Sequence, residues 1–333
     1  GIMHGDNSGY YEACMIMARI YDFLADPEKT SYWAEKAAVL RQNMNQICWN
    51  GRFYTHFVKL SDMTIEGVDE KRQLSLSNPM AVNRGAADHP MAVSILGEYI
   101  KRKAENGSFA EWYSIDRPFP DGIFGDEKLK GGAYCNGGIM PLVGGELARA
   151  AFEHGFEHYG VDILKRYYEM ISASGETYLW YFPDGRVPTI ETSTSPEAEP
   201  TDGWGSSAML YGLVEGLAGV QDNHKLFERV TVAPRWPAAE VDRADVSVGY
   251  EAGGCSLSYT WNHVPGFLKL ELKAEKAAVD FKMMLPAGKT CTQTKINGKI
   301  TGFREKRVEK SSYAVFSADV AGLCTIEMTL ADI

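Results

Sequence analysis

Three glutamates lie close together in one loop, in the stretch "IETSTSPEAEPTDG" that runs from residue 190 to residue 203. They are Glu191, Glu197 and Glu199, and Asp202 follows them. A carboxyl group held at a site can donate or accept a proton during a reaction, and a pair of such groups can do both. A charge-rich loop is more often only solvated. The elements around this loop must therefore decide whether any of these carboxylates does chemistry.

The segments on either side of the loop have the apolar spacing of helices. "YGVDILKRYYEMISASG" precedes it and "WGSSAMLYGLVEGLAGV" follows it. Helical periodicity also marks residues 9–26, the segment after Pro27 and a segment that ends at Gly107. Between these helices, "QLSLSNPMAVNRG" and the aromatic-rich residues 109–137 are predicted to be extended loops. The first part of the chain is therefore predicted to be mainly α, with about seven helices joined by long loops.

The pattern changes after about Gln221, where short runs alternate between apolar and polar residues. "DVSVGYEAGGCSLSYTW" and "FLKLELKAE" are examples, and Gly, Pro and "NG" separate such runs. This is the signature of strands and hairpins. We predict an all-β domain at residues 223–333, most simply a β-sandwich, after a helical domain at residues 1–222.

One predicted helix contains a pair of glycines. In "GAYCNGGIMPLVGGELARAAFEHG", Gly144 and Gly145 lie at or near the start of the helix that Gly155 ends. Each glycine costs about 1 kcal/mol relative to alanine inside a helix. Close packing against a neighbouring helix, or open space for a ligand, would compensate for this cost.

Composition excludes several classes of protein. The chain has 333 residues and a net charge of -10, with 34 Lys and Arg against 44 Asp and Glu. An acidic chain without a basic run is a poor candidate for nucleic-acid binding, and no apolar run is long enough to predict a membrane span. Six scattered cysteines lack metal-site spacing and lean toward a reducing compartment, although a periplasmic or secreted location stays open. We expect neither a metal nor another cofactor.

Several motifs, in this order, resemble the six-hairpin glycosidases, whose (α/α)6 toroid is often followed by a β-sandwich. "DNSGYYEACMIMARIYDF" resembles the start of the hairpin that follows their general-acid loop, and "YCNGGIMPLVGGELARAAFEHG" is similar to their "NGG-x-W-P" helix start, with Met140 in place of the usual Trp. "IETSTSP" and the helix after it resemble the α-L-rhamnosidase and α-glucosidase-like members. A full toroid has twelve helices, so the resemblance implies that this chain holds an incomplete one and that an upstream segment of the same protein completes it.

The resemblance implies hydrolysis of an α-linked glycoside with inversion. This reaction needs an acid for the leaving oxygen and a base for the attacking water. Glu191 matches the position of the family's general base, with Glu199, Glu197 and Asp202 as alternatives in the same loop. The matching general acid would lie upstream of residue 1, and Glu111, Asp116 and Asp121 are the substitutes within the chain.

A carbohydrate substrate would need aromatic faces and a few placed polar groups, because sugar rings present apolar C–H surfaces. Loops and helix starts supply both. The predicted substrate-binding residues are Trp112, Tyr113, Asp121, Tyr134, Asn136, Trp180, Trp204 and Arg84.

Two other functions stay open. A polysaccharide lyase acting on a uronate-containing glycan can also combine an α/α toroid with a β-sandwich, and Asn83, Arg84 and His89 could serve its chemistry. Alternatively, the chain is a non-catalytic carbohydrate-binding module.

Overall fold

The computed structural model describes residues 1–192 and 200–333, and the chain forms two compact units. Unit 1 comprises Gly1–Ala150 and Tyr167–Met209, and unit 2 comprises Ala151–Arg166 and Leu210–Ile333. Unit 2 therefore includes stretches that lie before residue 222. The domain boundary at residue 222 stays a prediction.

Seven α-helices form within the described residues, six of them in segments where the periodicity predicted a helix. They are α1 (His4–Phe23), α2 (Pro27–Cys48), α3 (Ser77–Asn83), α4 (His89–Asn106), α5 (Pro141–Glu153), α6 (Glu157–Ser174) and α7 (Trp204–Tyr211). The last predicted helix is not one regular helix, because a π-helical segment, Gly212–Leu217, follows α7.

Helix ends follow local chemistry. The Asp26 carboxylate accepts a hydrogen bond from the Lys29 N–H and begins α2, with Pro27 at the first helical position. Asp88 does the same for α4 through the Met91 N–H, and Gly107 ends α4 with φ +65°. These ends could be predicted from residue type alone.

Helix α3 corrects one prediction, because "SNPMAVN" was assigned to an extended loop. Pro79 lies in the first turn of this helix, where its missing N–H removes no intrahelical hydrogen bond. The buried Asn78 side chain accepts from the Tyr54 N–H at 2.8 Å and donates to the Tyr54 carbonyl at 3.1 Å. This long-range pairing, which local sequence does not reveal, fixes the start of the helix.

The glycine pair of α5 allows close packing within unit 1. A Cβ at Gly145 would lie 2.5 Å from the Ala208 Cβ on α7, and a Cβ at Gly144 would lie 2.7 Å from the Trp112 ring. The two glycines are therefore explained by close approach of α5 to α7 and to Trp112.

Unit 2 is dominated by one mixed sheet of nine strands. Its longest strands, β9 (Phe267–Met284) and β13 (Ser311–Asp332), pair antiparallel along most of their length. The other members are β5 (Val220–Asp222), β6 (Arg229–Val232), β7 (Arg243–Tyr250), β8 (Cys255–Val264), β10 (Lys289–Ile296), β11 (Lys299–Thr301) and β12 (Arg304–Val308). Four short strands in unit 1 form two pairs, β1 (Ile2–Met3) with β2 (Phe57–Val58) and β3 (Leu74–Ser75) with β4 (Ile115–Asp116).

The two long strands are shared by both halves of the sheet. The first half of β9 pairs with β8, whereas its second half pairs with β6 in parallel. A register shift between Val320 and Gly322 interrupts β13 at the corresponding place. Alternate side chains from both halves enter one apolar core, which includes Trp261, Phe281 and Ile326. The predicted β-rich region is thus confirmed, and its strands are hydrogen-bonded into one continuous sheet around a common core.

Candidate functional site

Three long segments connect the helices of unit 1, and their backbones bond to one another. Their described residues are 49–76, 107–140, and 175–192 together with 200–203. We call these three segments the loop assembly. Strand β3 pairs with β4, so Leu74 lies opposite Asp116. Ile139 bridges to both Tyr113 and Tyr181. The three segments are therefore held by backbone hydrogen bonds between residues far apart in sequence.

The "NGG" motif is the centre of one loop. The fully buried Asn136 side chain accepts from the Phe119 N–H at 2.7 Å and donates to the carbonyls of Phe119 and Leu129. A Cβ at Gly138 would lie 2.6 Å from the Tyr134 carbonyl oxygen, so only glycine fits there. Asn136 was predicted to bind substrate, but its amide is used to hold the loop.

Burial separates the predicted aromatic contacts into two groups. Trp112, Tyr113 and Trp180 are 0%, 4% and 2% exposed, respectively. The Tyr113 hydroxyl also bonds to the Ser108 hydroxyl at 2.6 Å. These three rings support the loop assembly, and their enclosure does not fit the predicted contact with substrate.

Tyr134 and Trp204 remain open to a ligand. Trp204 is 67% exposed at the start of α7, and the half-buried Tyr134 ring lies 6.4 Å from the Trp180 ring. The Phe182 ring packs on Trp180 at 4.6 Å and also meets the Arg186 guanidinium at 4.6 Å. Substrate contact by Tyr134 and Trp204 stays a prediction.

Glu191 lies in a turn at the surface of the loop assembly. The Thr192 hydroxyl donates to the Thr189 carbonyl and accepts from the Thr189 N–H at 2.7 Å, which closes the turn. A hydrogen bond to Thr189, with a smaller contribution from the positive charge of Lys128, lowers the pKa of the exposed Glu191 carboxyl. The carboxylate is thus ionised and accessible at neutral pH. Glu197 and Glu199 lie outside the described residues.

The other acidic candidates have structural partners. Asp116 is buried, and its carboxylate is 2.7 Å from the Arg102 guanidinium. Asp121 is exposed and accepts from the Gly131 N–H at 2.9 Å. Glu111 is fully buried. Neither Asp116 nor Glu111 has the access to substrate that a general acid needs.

The residues named for a lyase are also tied to neighbouring helices. The Arg84 guanidinium donates to the Glu12 carboxylate at 3.1 Å and to the Ser8 hydroxyl at 2.9 Å. The Asn83 amide donates to the Glu146 carboxylate at 2.5 Å. Substrate binding by Arg84 would have to compete with these bonds.

An open cavity of about 600 Å³ lies beside the last part of the loop assembly. Two carboxylic residues line it, Glu176 and Asp202, together with Ser172, Thr177 and Thr201. Asp202 accepts from the Trp204 N–H at 2.9 Å and so caps α7, and the Glu176 carboxylate accepts from the Tyr178 hydroxyl at 3.0 Å. Sequence reasoning missed Glu176, whose only signal is its place directly after the end of α6.

Two kinds of site are not found in the part of the chain that the structure describes. No group of three His, Cys, Asp or Glu side chains could hold a metal ion there. Among the same residues, no helix is both long and apolar enough to span a bilayer.

Comparison with known proteins gives matches only among solved structures. No family model matches the chain, and neither does any curated protein. The α-L-rhamnosidase from Dictyoglumus thermophilum matches with 12% identity and a TM-score of 0.59, over 96% of this chain and 31% of that one. The α-L-rhamnosidase from Streptomyces avermitilis, complexed with L-rhamnose, matches with 13% identity and a TM-score of 0.57, over 96% and 26%.

A third match is a rhamnosidase from Bacillus sp. GL1, with 17% identity and a TM-score of 0.52, over 79% of this chain and 24% of that one. These proteins belong to the six-hairpin (α/α)6 glycosidases. The resemblance seen in the sequence is therefore confirmed as a likeness of fold. The chain spans about a third or less of the length of these structures.

Proposed function

We propose that the chain is part of a glycoside hydrolase that cleaves an α-linked glycoside with inversion of the anomeric configuration. The likeness of fold to α-L-rhamnosidases over 96% of the chain carries this proposal. Both neighbours are α-L-rhamnosidases, which supports an α-linked substrate.

Glu191 is our candidate for the general base. A base must hold an ionised carboxylate within hydrogen-bond reach of the water that attacks the anomeric carbon. Its exposure supports this role, because water can reach the carboxylate. Lys128 reinforces the ionised state from the neighbouring loop.

The general acid is proposed to come from a segment upstream of Gly1. An inverting site holds its two carboxyl groups roughly 6.5–9.5 Å apart, which leaves room for the water. Asp116 and Glu111 are buried, so they are poor candidates for the acid. The upstream segment would complete the toroid and bring the acid to the opposite face of the sugar from Glu191.

In the proposed reaction the upstream acid protonates the glycosidic oxygen as its bond to the anomeric carbon breaks. Glu191 accepts a proton from the water as the water oxygen bonds to that carbon from the other face. Tyr134 and Trp204 are proposed to contact the apolar face of the sugar. One hydrolytic turnover thus yields a free sugar of inverted configuration.

The test uses the full-length gene product and a panel of α-glycosides that includes α-L-rhamnosides. Proton NMR of the first turnovers is expected to show the β-anomer of the released sugar before mutarotation. An α-anomer as first product would reject inversion. Ultraviolet-absorbing products from uronate-containing glycans would favour a lyase, and glycan binding without turnover would favour a binding module.

A further inference from the structure

A second, smaller cavity lies in unit 1 between the C-terminal half of α4 and the loop assembly. Its volume is about 70 Å³, and its walls include Arg52, Arg72, Arg102, Arg117, Glu98 and Asp116. We call it the arginine cavity. A single water needs about 10–15 Å³ of such space. The arginine cavity therefore has room for several waters or for one carboxylate or sulfate group.

Arg102 is the buried arginine of the cavity lining, and two carboxylates balance its positive charge. It is 7% exposed, and its guanidinium contacts the Glu98 carboxylate at 3.0 Å and the Asp116 carboxylate at 2.7 Å. The Arg102 Nη2 also donates to the Arg72 carbonyl at 3.0 Å. These bonds hold the two loops that carry the next pair of arginines.

Arg72 and Arg117 are placed side by side by the backbone. Leu74 pairs with Asp116 in the β3–β4 ladder, and the Gln73 amide donates to the Arg117 carbonyl at 3.1 Å. Both arginines are exposed, and no carboxylate among the described residues lies within ion-pair distance of either guanidinium. Two arginines without a carboxylate partner among the described residues thus line one polar cavity.

The local charge contrasts with that of the whole chain. Lys101 and Glu105 complete the charged lining, so five cationic and three anionic residues line the cavity, whereas the chain carries a net charge of -10. Guanidinium groups match carboxylate and sulfate oxygens with paired hydrogen bonds. The excess of positive charge along this lining would favour an oxyanion over a neutral ligand.

We propose that the arginine cavity binds one carboxylate or sulfate group of a sugar, through Arg72 and Arg117. The assignment of the anion to a sugar rests on the proposed glycosidase function, and it makes an acidic glycan the substrate class. Anion binding itself does not depend on Glu191, so it is measured without turnover.

The probe is sodium glucuronate, followed by ligand-observed NMR titration of the full-length gene product at constant ionic strength. Glucuronate is expected to bind, sulfate to displace it, and glucose to leave it bound. Arg72→Gln and Arg117→Gln are each expected to weaken glucuronate binding by about 10-fold or more, since a charged hydrogen-bond partner is lost. Arg117→Lys keeps the charge but not the fork, so a smaller loss is expected.

Arg243→Gln is the matched control, because it removes the same charge from an exposed strand of unit 2. It is expected to leave the affinity unchanged, and circular dichroism verifies that each variant folds. Unchanged affinity in both Arg72→Gln and Arg117→Gln would overturn the proposal, as would an equal loss in Arg243→Gln. Sulfate binding without glucuronate binding would overturn the assignment to a sugar.

Discussion

Each unit contains a buried arginine, and the two arginines have different surroundings. In unit 2, Arg235 is fully enclosed, and its guanidinium donates to the Gly216 carbonyl and to the Glu153 carboxylate, both at 2.5 Å. In unit 1, Arg102 is buried beside arginines that open to solvent. The enclosed arginine joins segments of unit 2 through its bonds, whereas Arg72 and Arg117 beside Arg102 have no carboxylate partner among the described residues.

A buried glutamate extends the enclosed network of unit 2. Glu157 is 1% exposed and accepts hydrogen bonds from the Ser311 hydroxyl at 2.5 Å and from the Tyr313 hydroxyl. Tyr313 in turn lies under the Lys282 ammonium, 4.6 Å from the ring centre. The residues of this network belong to the first and last parts of unit 2, so it joins distant segments of the chain.

The largest expected difference between the two regions is in the free energy of unfolding of Arg235→Met compared with that of Arg117→Gln. Arg235→Met should lower the free energy of unfolding by about 3 kcal/mol, the low end for a broken buried ion pair, because Glu153 is still 37% exposed. Arg117→Gln should change it by less than about 0.5 kcal/mol, as at other exposed sites. Urea denaturation measures both, and equal losses would remove the contrast.

Acid pH should destabilise unit 1 through His4. This side chain is fully buried, and its Nδ1 lies 2.9 Å from the Thr55 carbonyl, whereas Nε2 has no hydrogen-bond partner among the described residues. Burial lowers the pKa of His4 to about 4.

The unfolded chain therefore binds a proton at His4 that the folded chain does not bind between about pH 6.5 and 4. The free energy of unfolding is therefore not reduced by His4 above pH 6.5. It falls as the pH drops below this value, by at most about 3 kcal/mol. A His4→Gln variant should have a flatter dependence in urea titrations. An unchanged slope would exclude His4 as the source.

The stability of unit 2 should instead change with pH in the alkaline range. Burial lowers the pKa of Lys282 to about 8, and its ammonium lies 3.9 Å from the Glu153 carboxylate. Between about pH 8 and 10.5, the unfolded chain binds a proton at Lys282 that the folded chain does not bind. The free energy of unfolding should therefore rise with pH from about 8. Tyr259 and Tyr313 oppose this rise above about pH 10, because burial raises the pKa of each phenol. Lys282→Met should abolish the rise between pH 8 and 9.5, and its persistence would contradict the assignment.

The smallest expected changes in stability come from alanine substitutions at two helical glycines of unit 1. Gly145→Ala should lower the free energy of unfolding by about 1–3 kcal/mol, because the new methyl meets α7. Gly97→Ala is the matched control, since a Cβ there has nothing within 4 Å. It should raise stability by about 0.4–1 kcal/mol. Thermal unfolding measures both, and a neutral Gly145→Ala would show that α5 and α7 can separate.

Local patterns predicted the elements well, because helix ends and strand alternation depend on neighbouring residues. Helix α2 begins at Pro27 and α4 ends at Gly107, as the sequence predicted. The alternation in β8 and β9 likewise matches the buried side chains of the sheet. The contact that fixes α3 could not be predicted this way, since Asn78 and Tyr54 lie in different segments.

For the same reason, the sequence could not predict which side chains of the loop assembly are exposed. Trp112 and Trp180 have the composition of sugar-binding residues, yet they are buried by pairing between loops far apart in the chain. The arginine cavity also depends on such pairing. The Glu98–Arg102 and Lys101–Glu105 contacts follow from helical spacing, whereas the contact of Arg102 with Asp116 requires the folded loops.

The catalytic assignment within the acidic loop can be sharpened by three single variants. Glu191→Gln, Glu197→Gln and Glu199→Gln remove one carboxylate each and preserve side-chain shape. Only the first is expected to abolish most turnover. Loss in Glu197→Gln or Glu199→Gln alone would keep the loop as the source of the base and change the residue.

Turnover of an α-glycoside by full-length Glu191→Gln tests the proposed hydrolase most directly. Glu169→Gln, on the exposed side of α6, is the matched control and should retain wild-type kcat. We expect kcat of Glu191→Gln to fall by about 10²–10⁴-fold, with KM changed only a few-fold, because the base acts on water and not on substrate binding. Near wild-type kcat in Glu191→Gln, with the protein folded, would contradict the assignment of Glu191 as the base.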